Sequence, residues 1–175
     1  MTNVWLNIIG IGENGLNGLS KSSIECIKEA KIVFGSKRHL QLARIREKGK
    51  EWPSPFSYEE VFKYKKKKVV ILASGDPFWF GIGSRIVEQL ESDEWRCYPN
   101  YSTFSLAASK LGWAIQETEC TAIHAKPVEI LNSKIKNGRK AIILCKDFHQ
   151  LVLVFEWLKR KKLKVSRFIL MSRLG

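Results

Sequence analysis

A continuous apolar run at residues 69–73, followed at once by a polar break, constrains the fold of this chain most strongly. Such a run is typical of a strand buried on both faces of a parallel sheet. The break consists of Ser74, Gly75, Asp76 and Pro77, in which Asp76 suits the cap and Pro77 the first position of a helix. Ligands of open α/β sheets bind outside the carboxyl ends of the strands, so this turn is the first candidate site. A capped turn without a ligand is the alternative.

Strands and helices alternate along the whole chain, which predicts an α/β fold. The predicted strands cover residues 4–9, 31–34, 69–73, 95–98, 120–123, 140–144 and 167–170. The predicted helices cover residues 20–30, 35–48, 57–64, 78–90, 104–111, 127–136 and 148–161. Ser20 is the predicted cap of the first helix.

The composition indicates which kinds of partner the chain could bind. Lysine and arginine exceed aspartate and glutamate by 30 to 17 among 175 residues, a net charge of +13. This charge favours a polyanionic partner, either nucleic acid or a substrate with several carboxylates. A solubilising surface is the alternative, and the run at residues 65–68 fits a solvated turn before a strand. All apolar runs are strand-sized and no signal-like segment precedes them, so we expect a soluble, cytoplasmic protein. The four cysteines are widely spaced, so we expect reduced thiols and no protein-held metal.

The first strand leads into a literal G-x-G-x-x-G pattern at Gly10, Gly12 and Gly15, which invites a dinucleotide interpretation. The predicted helix begins only at Ser20, however, and not within the glycines as pyrophosphate binding requires. Lys37 and Arg38, after the second strand, could still suit a 2′-phosphate, so a nicotinamide enzyme stays open beside a plain irregular loop. Arg38 is also the residue best fitted to grip a carboxylate, with an ordinary surface arginine as its alternative.

Three motifs together resemble those of the tetrapyrrole (corrin/porphyrin) methylases. They are the Ala-Ser-Gly-Asp-Pro turn at residues 73–77 with the glycines that follow it, the Gly-x-x-Arg-x-Leu segment at residues 35–40, and the Leu-Gly-Trp helix end at residues 111–113. The resemblance implies two small α/β domains facing each other across a cleft, which we place at residues 1–99 and 100–175. It further implies methyl transfer from S-adenosylmethionine to ring carbon C5 of a precorrin or cobalt-precorrin in cobalamin biosynthesis.

The resemblance also implies a set of site residues. The implied cofactor-binding residues are Gly10, Gly12, Gly75, Asp76, Trp79, Ser102, Thr103, Leu144 and Cys145. Candidates to orient the substrate or accept a proton are Asp76, Arg38 and His124. A polycarboxylate corrinoid substrate gives the positive charge a second explanation. A homodimer is implied as well, and whether a separate partner methylates C15 and decarboxylates stays open.

Two departures from the family pattern leave alternatives open. The His-Gly-Arg-like motif of the second domain is His-Ala-Lys at residues 124–126, and the family continues beyond the Leu-Gly element at residues 174–175 with further strands. An incomplete second domain that binds corrinoid or cofactor without turnover is therefore one alternative. A methyltransferase of the same fold with RNA or another acceptor is a second one, although the Arg-His-Leu segment at residues 38–40 favours the corrinoid branch.

Overall fold

Two units make up the described chain, which comprises residues 3–124 and 126–174 of a computed structural model. Unit 1 extends to Ser102 and unit 2 runs from Thr103 to Leu174. The sequence places the boundary at residue 99, and this domain assignment stays a prediction. The middle residue of the His-Ala-Lys motif and the last residue of the chain lie outside the described residues.

Unit 1 is built on a five-stranded sheet in the order β3-β2-β4-β1-β5, and every neighbouring pair is parallel. The strands are β1 (Leu6–Ile11), β2 (Ile32–Gly35), β3 (Gly49–Glu51), β4 (Val69–Ser74) and β5 (Trp95–Tyr98). The helices are α1 (Lys21–Glu29), α2 (Lys37–Leu42) and α3 (Gly83–Val87), with 3₁₀ turns at Gly15–Gly18 and Glu59–Tyr64. The prediction of an α/β chain with a parallel sheet is therefore confirmed.

Strand β4 lies in the middle of the sheet and is covered on both faces. Val70 and Leu72 pack into a cluster on one face, whereas Val69 and Ile71 pack into a second cluster on the other. All four side chains are at most 1% exposed. Because successive strand residues point to opposite faces, only a strand with two covered faces needs an unbroken apolar run.

Two lysines of the run before β4 form ion pairs within the protein, so the run is not only the solvated turn considered above. Lys65 Nζ lies 2.7 Å from Oε1 of the buried Glu94, whose carboxylate also accepts a hydrogen bond from Trp5 Nε1 at 3.1 Å. The hydrogen bond from Lys65 is the main cause that lowers the pKa of Glu94. Lys68 Nζ lies 2.6 Å from Glu29 Oε2. Part of the positive charge thus stabilises unit 1 itself.

Lys48 closes the carboxyl end of α1. Its Nζ donates hydrogen bonds to the carbonyl oxygens of Ile27, Lys28 and Ala30 at 2.6, 2.9 and 3.3 Å. Replacing Lys48 with methionine keeps the aliphatic stem but removes these donors and a charge that complements the helix dipole. We expect a loss of about 1 to 2 kcal/mol in the free energy of unfolding, measured by urea denaturation. Lys28→Met removes a charge from the same last turn without those three bonds, so an equal loss in that control would contradict the capping role.

Unit 2 contains a two-stranded parallel sheet of β6 (Thr118–Ala122) and β7 (Lys140–Leu144). Its helices are α4 (Thr103–Leu111) and α5 (Phe148–Arg160), with 3₁₀ turns at Ile115–Glu117 and Val128–Ser133. The core gathers around Trp157, which packs with Ile123, Leu131 and Val154 and donates from Nε1 to Asn132 Oδ1 at 3.1 Å. None of the helices in the described part of the chain is long and apolar enough to cross a membrane.

Five predicted elements differ from the structure. The predicted helices at residues 35–48 and 78–90 are shortened to α2 and α3. Those at residues 57–64 and 127–136 are the 3₁₀ turns Glu59–Tyr64 and Val128–Ser133. The strand predicted at residues 167–170 does not form. An apolar run becomes a strand only where a neighbouring strand accepts its backbone hydrogen bonds, and β7 pairs only with β6 among the described residues.

Candidate functional site

Four segments meet at the carboxyl edge of the sheet of unit 1. Because β1, β2, β4 and β5 are parallel, the residues that follow them lie at one edge. Seven of the predicted site residues belong to this unit: Gly10, Gly12, Arg38, Gly75, Asp76, Trp79 and Ser102. The fold therefore places this group of predicted residues at or beside the edge where α/β sheets bind ligands.

The turns after β1, β4 and β5 are joined through the backbone of Gly75. Its N–H donates to the carbonyl of Ile11 at 3.1 Å, and its own carbonyl accepts from the N–H of Asn100 at 3.1 Å. Gly75 has φ +53°, and a Cβ there would lie 2.8 Å from the carbonyl oxygen of Tyr101. A Cβ on Gly10 would lie only 1.8 Å from the carbonyl oxygen of Gly75. Both glycines are therefore required by the packing of the edge itself.

The Asp-Pro turn is an irregular loop wrapped around one carbonyl. Asp76 does not cap a helix as predicted, since its Oδ1 accepts from the N–H of Phe78 at 2.8 Å and α3 begins only at Gly83. The N–H of Gly83 donates to the carbonyl of Pro77 at 2.9 Å, and a Cβ on Gly81 would lie 2.3 Å from the oxygen of that carbonyl. The side chain of Asp76 is thus held by its own turn at the sheet edge.

Aromatic side chains project from this turn. Phe78, Trp79 and Phe80 are 39%, 36% and 56% exposed, and Phe80 has φ +59°, which is rare for a bulky residue. The rings of Phe78 and Trp95 lie 5.6 Å apart. The turn therefore offers an aromatic surface next to a carboxylate, a combination suited to a ligand with a flat ring and polar ends.

An ion pair joins the turn after β1 to the start of α2. Nη2 of Arg38 donates to Oε1 of Glu13, and the two side chains are 47% and 34% exposed. An exposed pair of this kind contributes little to stability. The guanidinium has five N–H donors, so Arg38 can bind a second carboxylate while it holds Glu13.

A histidine that follows β2 and the serine that ends β4 also meet at this edge. His39 lies in α2, directly after β2, and its Nε2 is 2.8 Å from Oγ of Ser74, the last residue of β4. Burial of the ring, followed by the charge of Arg38, lowers the pKa of His39 from 6.5 to about 4. The Leu72 backbone and the charge of Glu13 oppose this shift. The ring is therefore neutral at physiological pH.

The remaining predicted residues belong to unit 2. Thr103 is exposed at the start of α4, whereas its chain neighbour Ser102 in unit 1 is buried. His124 is exposed and follows β6, while Leu144 ends β7. Cys145 packs against the core of unit 2, and burial followed by the charge of Asp147 raises its pKa. Because β6 and β7 are parallel, His124, Leu144 and Cys145 share the carboxyl edge of that sheet.

The contact between His39 and Ser74 was not predicted from the sequence, although both residues lie inside the motifs at residues 35–40 and 73–77. The signal was their position: each residue follows or ends a predicted buried strand. Only the pairing of β2 with β4 shows that these two positions are neighbours. No group of three or more histidine, cysteine or acidic side chains in the described residues could hold a metal ion.

Comparison with known proteins shows the family to which the chain belongs. Residues 6–175 match the family model of the tetrapyrrole (corrin/porphyrin) methylases, and the chain therefore belongs to this family. The solved precorrin-6Y methylase from Archaeoglobus fulgidus has the same fold, with a TM-score of 0.63 at 24% identity over 82% of this chain and 74% of that one.

The names of the curated relatives describe more specific activities than the family does. A decarboxylating precorrin-6Y C(5,15)-methyltransferase of Sinorhizobium sp is 40% identical over 147 residues, which are 82% of this chain but 36% of the relative. A cobalt-precorrin-7 C(5)-methyltransferase of Salmonella typhimurium is 26% identical over 144 residues, 79% of this chain and 70% of the relative. The chain thus spans little more than a third of the length of the former relative.

Proposed function

We propose that this chain transfers a methyl group from S-adenosylmethionine to ring carbon C5 of a precorrin or cobalt-precorrin. The observation that carries the proposal is the 40% identity with a precorrin-6Y C(5,15)-methyltransferase over most of this chain. The similarity to a cobalt-precorrin-7 C(5)-methyltransferase supports C5 as the methylated carbon.

The proposed cofactor-binding residues of unit 1, at its carboxyl edge, are Gly10, Gly12, Gly75, Asp76, Trp79 and Ser102, and those of unit 2 are Thr103, Leu144 and Cys145. S-adenosylmethionine supplies an electrophilic methyl group on sulfur, so the main task of the protein is to hold donor and acceptor in line. Asp76 is suited to a fixed polar contact because its own turn orients the carboxylate. The exposed rings beside it are suited to the flat parts of a ligand.

The proposed substrate is a corrinoid precursor with several carboxylates. Arg38 would bind one carboxylate through its remaining donors, and the net charge of +13 would attract the whole molecule. Asp76, Arg38 and His124 remain the candidates to orient the substrate or accept a proton. We also propose a cytoplasmic homodimer and a separate partner for C15 methylation and decarboxylation, the further activities that the name of the C(5,15) relative includes.

Calorimetric titration with S-adenosylhomocysteine tests the cofactor site. We expect micromolar binding by the wild-type chain and a loss of affinity of about tenfold or more in Asp76→Ala, because hydrogen bonds to charged groups contribute about 1.5 to 3 kcal/mol. Asp93→Ala, which removes an exposed carboxylate before β5, is the matched control and should bind as the wild type does. Equal affinities of both variants would contradict the role of Asp76. Single-turnover assays with a precorrin and with RNA then identify the methyl acceptor. If no methyl group is transferred to the precorrin, the proposed acceptor is refuted.

A further inference from the structure

Tyr101, in the turn after β5, is the most exposed aromatic residue of unit 1 among those that the structure describes. Its side chain is 73% exposed, against 56% for Phe80. A single exposed tyrosine is ordinary on a protein surface. The position of Tyr101 is less ordinary, because it follows a parallel strand at the edge of the sheet where α/β proteins bind ligands. It is not among the residues of the proposed cofactor site.

The backbone that carries this ring is fixed by its neighbours. The N–H of Tyr101 donates to Oδ1 of Asn100 at 2.8 Å. Asn100 in turn donates hydrogen bonds to the carbonyl oxygens of Gly18 and Gly75, at 3.3 and 3.1 Å. The carbonyl oxygen of Tyr101 lies 2.8 Å from the position of a Cβ on Gly75, so no side chain separates the two segments. Because a tyrosine has only two side-chain torsions, a ring on such a backbone loses little entropy when a ligand covers it.

Tyr101 and Arg38 approach the turn after β4 from opposite sides of the sheet. In the strand order β3-β2-β4-β1-β5, Tyr101 follows β5, whereas α2 with Arg38 follows β2. Three strand spacings separate β2 from β5, which together are about 14 Å. A ligand that contacts both the ring and the guanidinium must therefore be wide, with a flat apolar part and an anionic group at its periphery. A tetrapyrrole with carboxylate side chains has these properties.

We propose that the ring of Tyr101 is a stacking platform for the macrocycle of the methyl acceptor, while Arg38 holds one of its carboxylates. This inference rests on the proposed function and refines it, since it names the residue that recognises the flat part of the substrate. The aromatic ring makes the contact, and the hydroxyl group is not needed for it. Because the methyl donor does not touch Tyr101, its binding is independent of this side chain.

Absorption titration of the full chain with uroporphyrin, a flat tetrapyrrole with carboxylate side chains, tests the platform. Tyr101→Ala should weaken binding by about tenfold, because stacking on an aromatic side chain contributes a factor of this order. Tyr101→Phe keeps the ring and should bind as the wild type does. Phe148→Ala removes a similarly exposed ring, at 76%, from α5 and should leave the affinity unchanged. The loss in Tyr101→Ala should persist at high ionic strength, because salt screens charge attraction but not stacking.

Calorimetric titration with S-adenosylhomocysteine separates this inference from the proposed function. Tyr101→Ala should bind S-adenosylhomocysteine as the wild type does, and an equal loss of affinity for both ligands would overturn the inference. Unchanged uroporphyrin binding in Tyr101→Ala, or the same loss in Tyr101→Phe, would overturn it as well. A wild type that binds S-adenosylhomocysteine but not uroporphyrin would refute the platform and leave the cofactor site standing. The converse result would refute the cofactor site and leave the platform standing.

Discussion

Replacing Gly10 with alanine is expected to destabilise unit 1 by roughly 3 kcal/mol or more, or to prevent folding. The added Cβ would lie 1.8 Å from the carbonyl oxygen of Gly75 and 2.7 Å from the backbone nitrogen of Asn100. Both are backbone atoms that hydrogen-bond to each other at 3.1 Å. Relief of the clash would therefore separate the turns after β1, β4 and β5, and no rotamer change can avoid it. Urea denaturation followed by far-UV circular dichroism measures the loss.

Gly12→Ala is the matched control, since it adds the same methyl group two residues further on. Its Cβ would meet only side-chain atoms of Asn14, the nearest being Oδ1 at 3.0 Å, and that side chain can rotate away. We expect a loss below about 1 kcal/mol. If Gly10→Ala cost no more than Gly12→Ala, the close packing of the three turns would be wrong. A loss of ligand binding in Gly12→Ala at unchanged stability would instead support the proposed role of Gly12 in the cofactor site.

These glycines also explain why the G-x-G-x-x-G pattern misleads. Gly10 makes room for the carbonyl of Gly75, and Gly15 has φ +58° with the carbonyl oxygen of Leu42 2.7 Å from its Cβ position. The loop continues through a 3₁₀ turn, and α1 begins only at Lys21, capped by Ser20 as predicted. The dinucleotide fingerprint requires a helix that begins within the glycines. Helix α1 begins after them, so its N-terminus does not face a ligand held by the glycines.

The central strands could be predicted because strands that are buried on both faces consist of consecutive apolar residues. Strand β4 extends the predicted run by one residue. Strand β5 matches its predicted range although it is a partly exposed edge strand, because it contains two aromatic residues, which favour strands. Strand β3 was missed because its three residues, Gly-Lys-Glu, are partly exposed at the edge of the sheet and need no apolar side chains. Helix α3 was predicted too long because apolar spacing alone does not reveal that the chain before Gly83 wraps around the Pro77 carbonyl.

Only those parts of the site that lie within a single chain segment could be predicted from the sequence. The turn after β4 was found because strand, glycine and Asp-Pro are consecutive. The ion pair of Arg38 with Glu13 and the contact of His39 with Ser74 join segments that are 25 and 35 residues apart. Neither could be derived before the strand order was known, because a parallel sheet brings together residues that no local pattern relates.

Acid is expected to destabilise the wild-type chain more than His39→Gln. The folded state holds the pKa of His39 at about 4, below its ordinary 6.5, because burial and the charge of Arg38 disfavour the imidazolium. Between these two values the unfolded state binds more protons, so stability falls as the pH falls from 6.5 towards 4. Above pH 6.5 the ring is neutral in both states and the effect is absent. The two pKa values differ by an amount that corresponds to about 3 kcal/mol.

Urea denaturation at a series of pH values from 7 to 4 measures this effect as a difference between two proteins, since other groups also titrate in acid. The free energy of unfolding of the wild type should fall by about 3 kcal/mol more than that of His39→Gln, which cannot take up the proton. Parallel curves for wild type and His39→Gln would mean that the imidazole is not held neutral. Ser74→Ala should change the slope little, because burial and Arg38, and not the hydroxyl, lower the pKa of the ring.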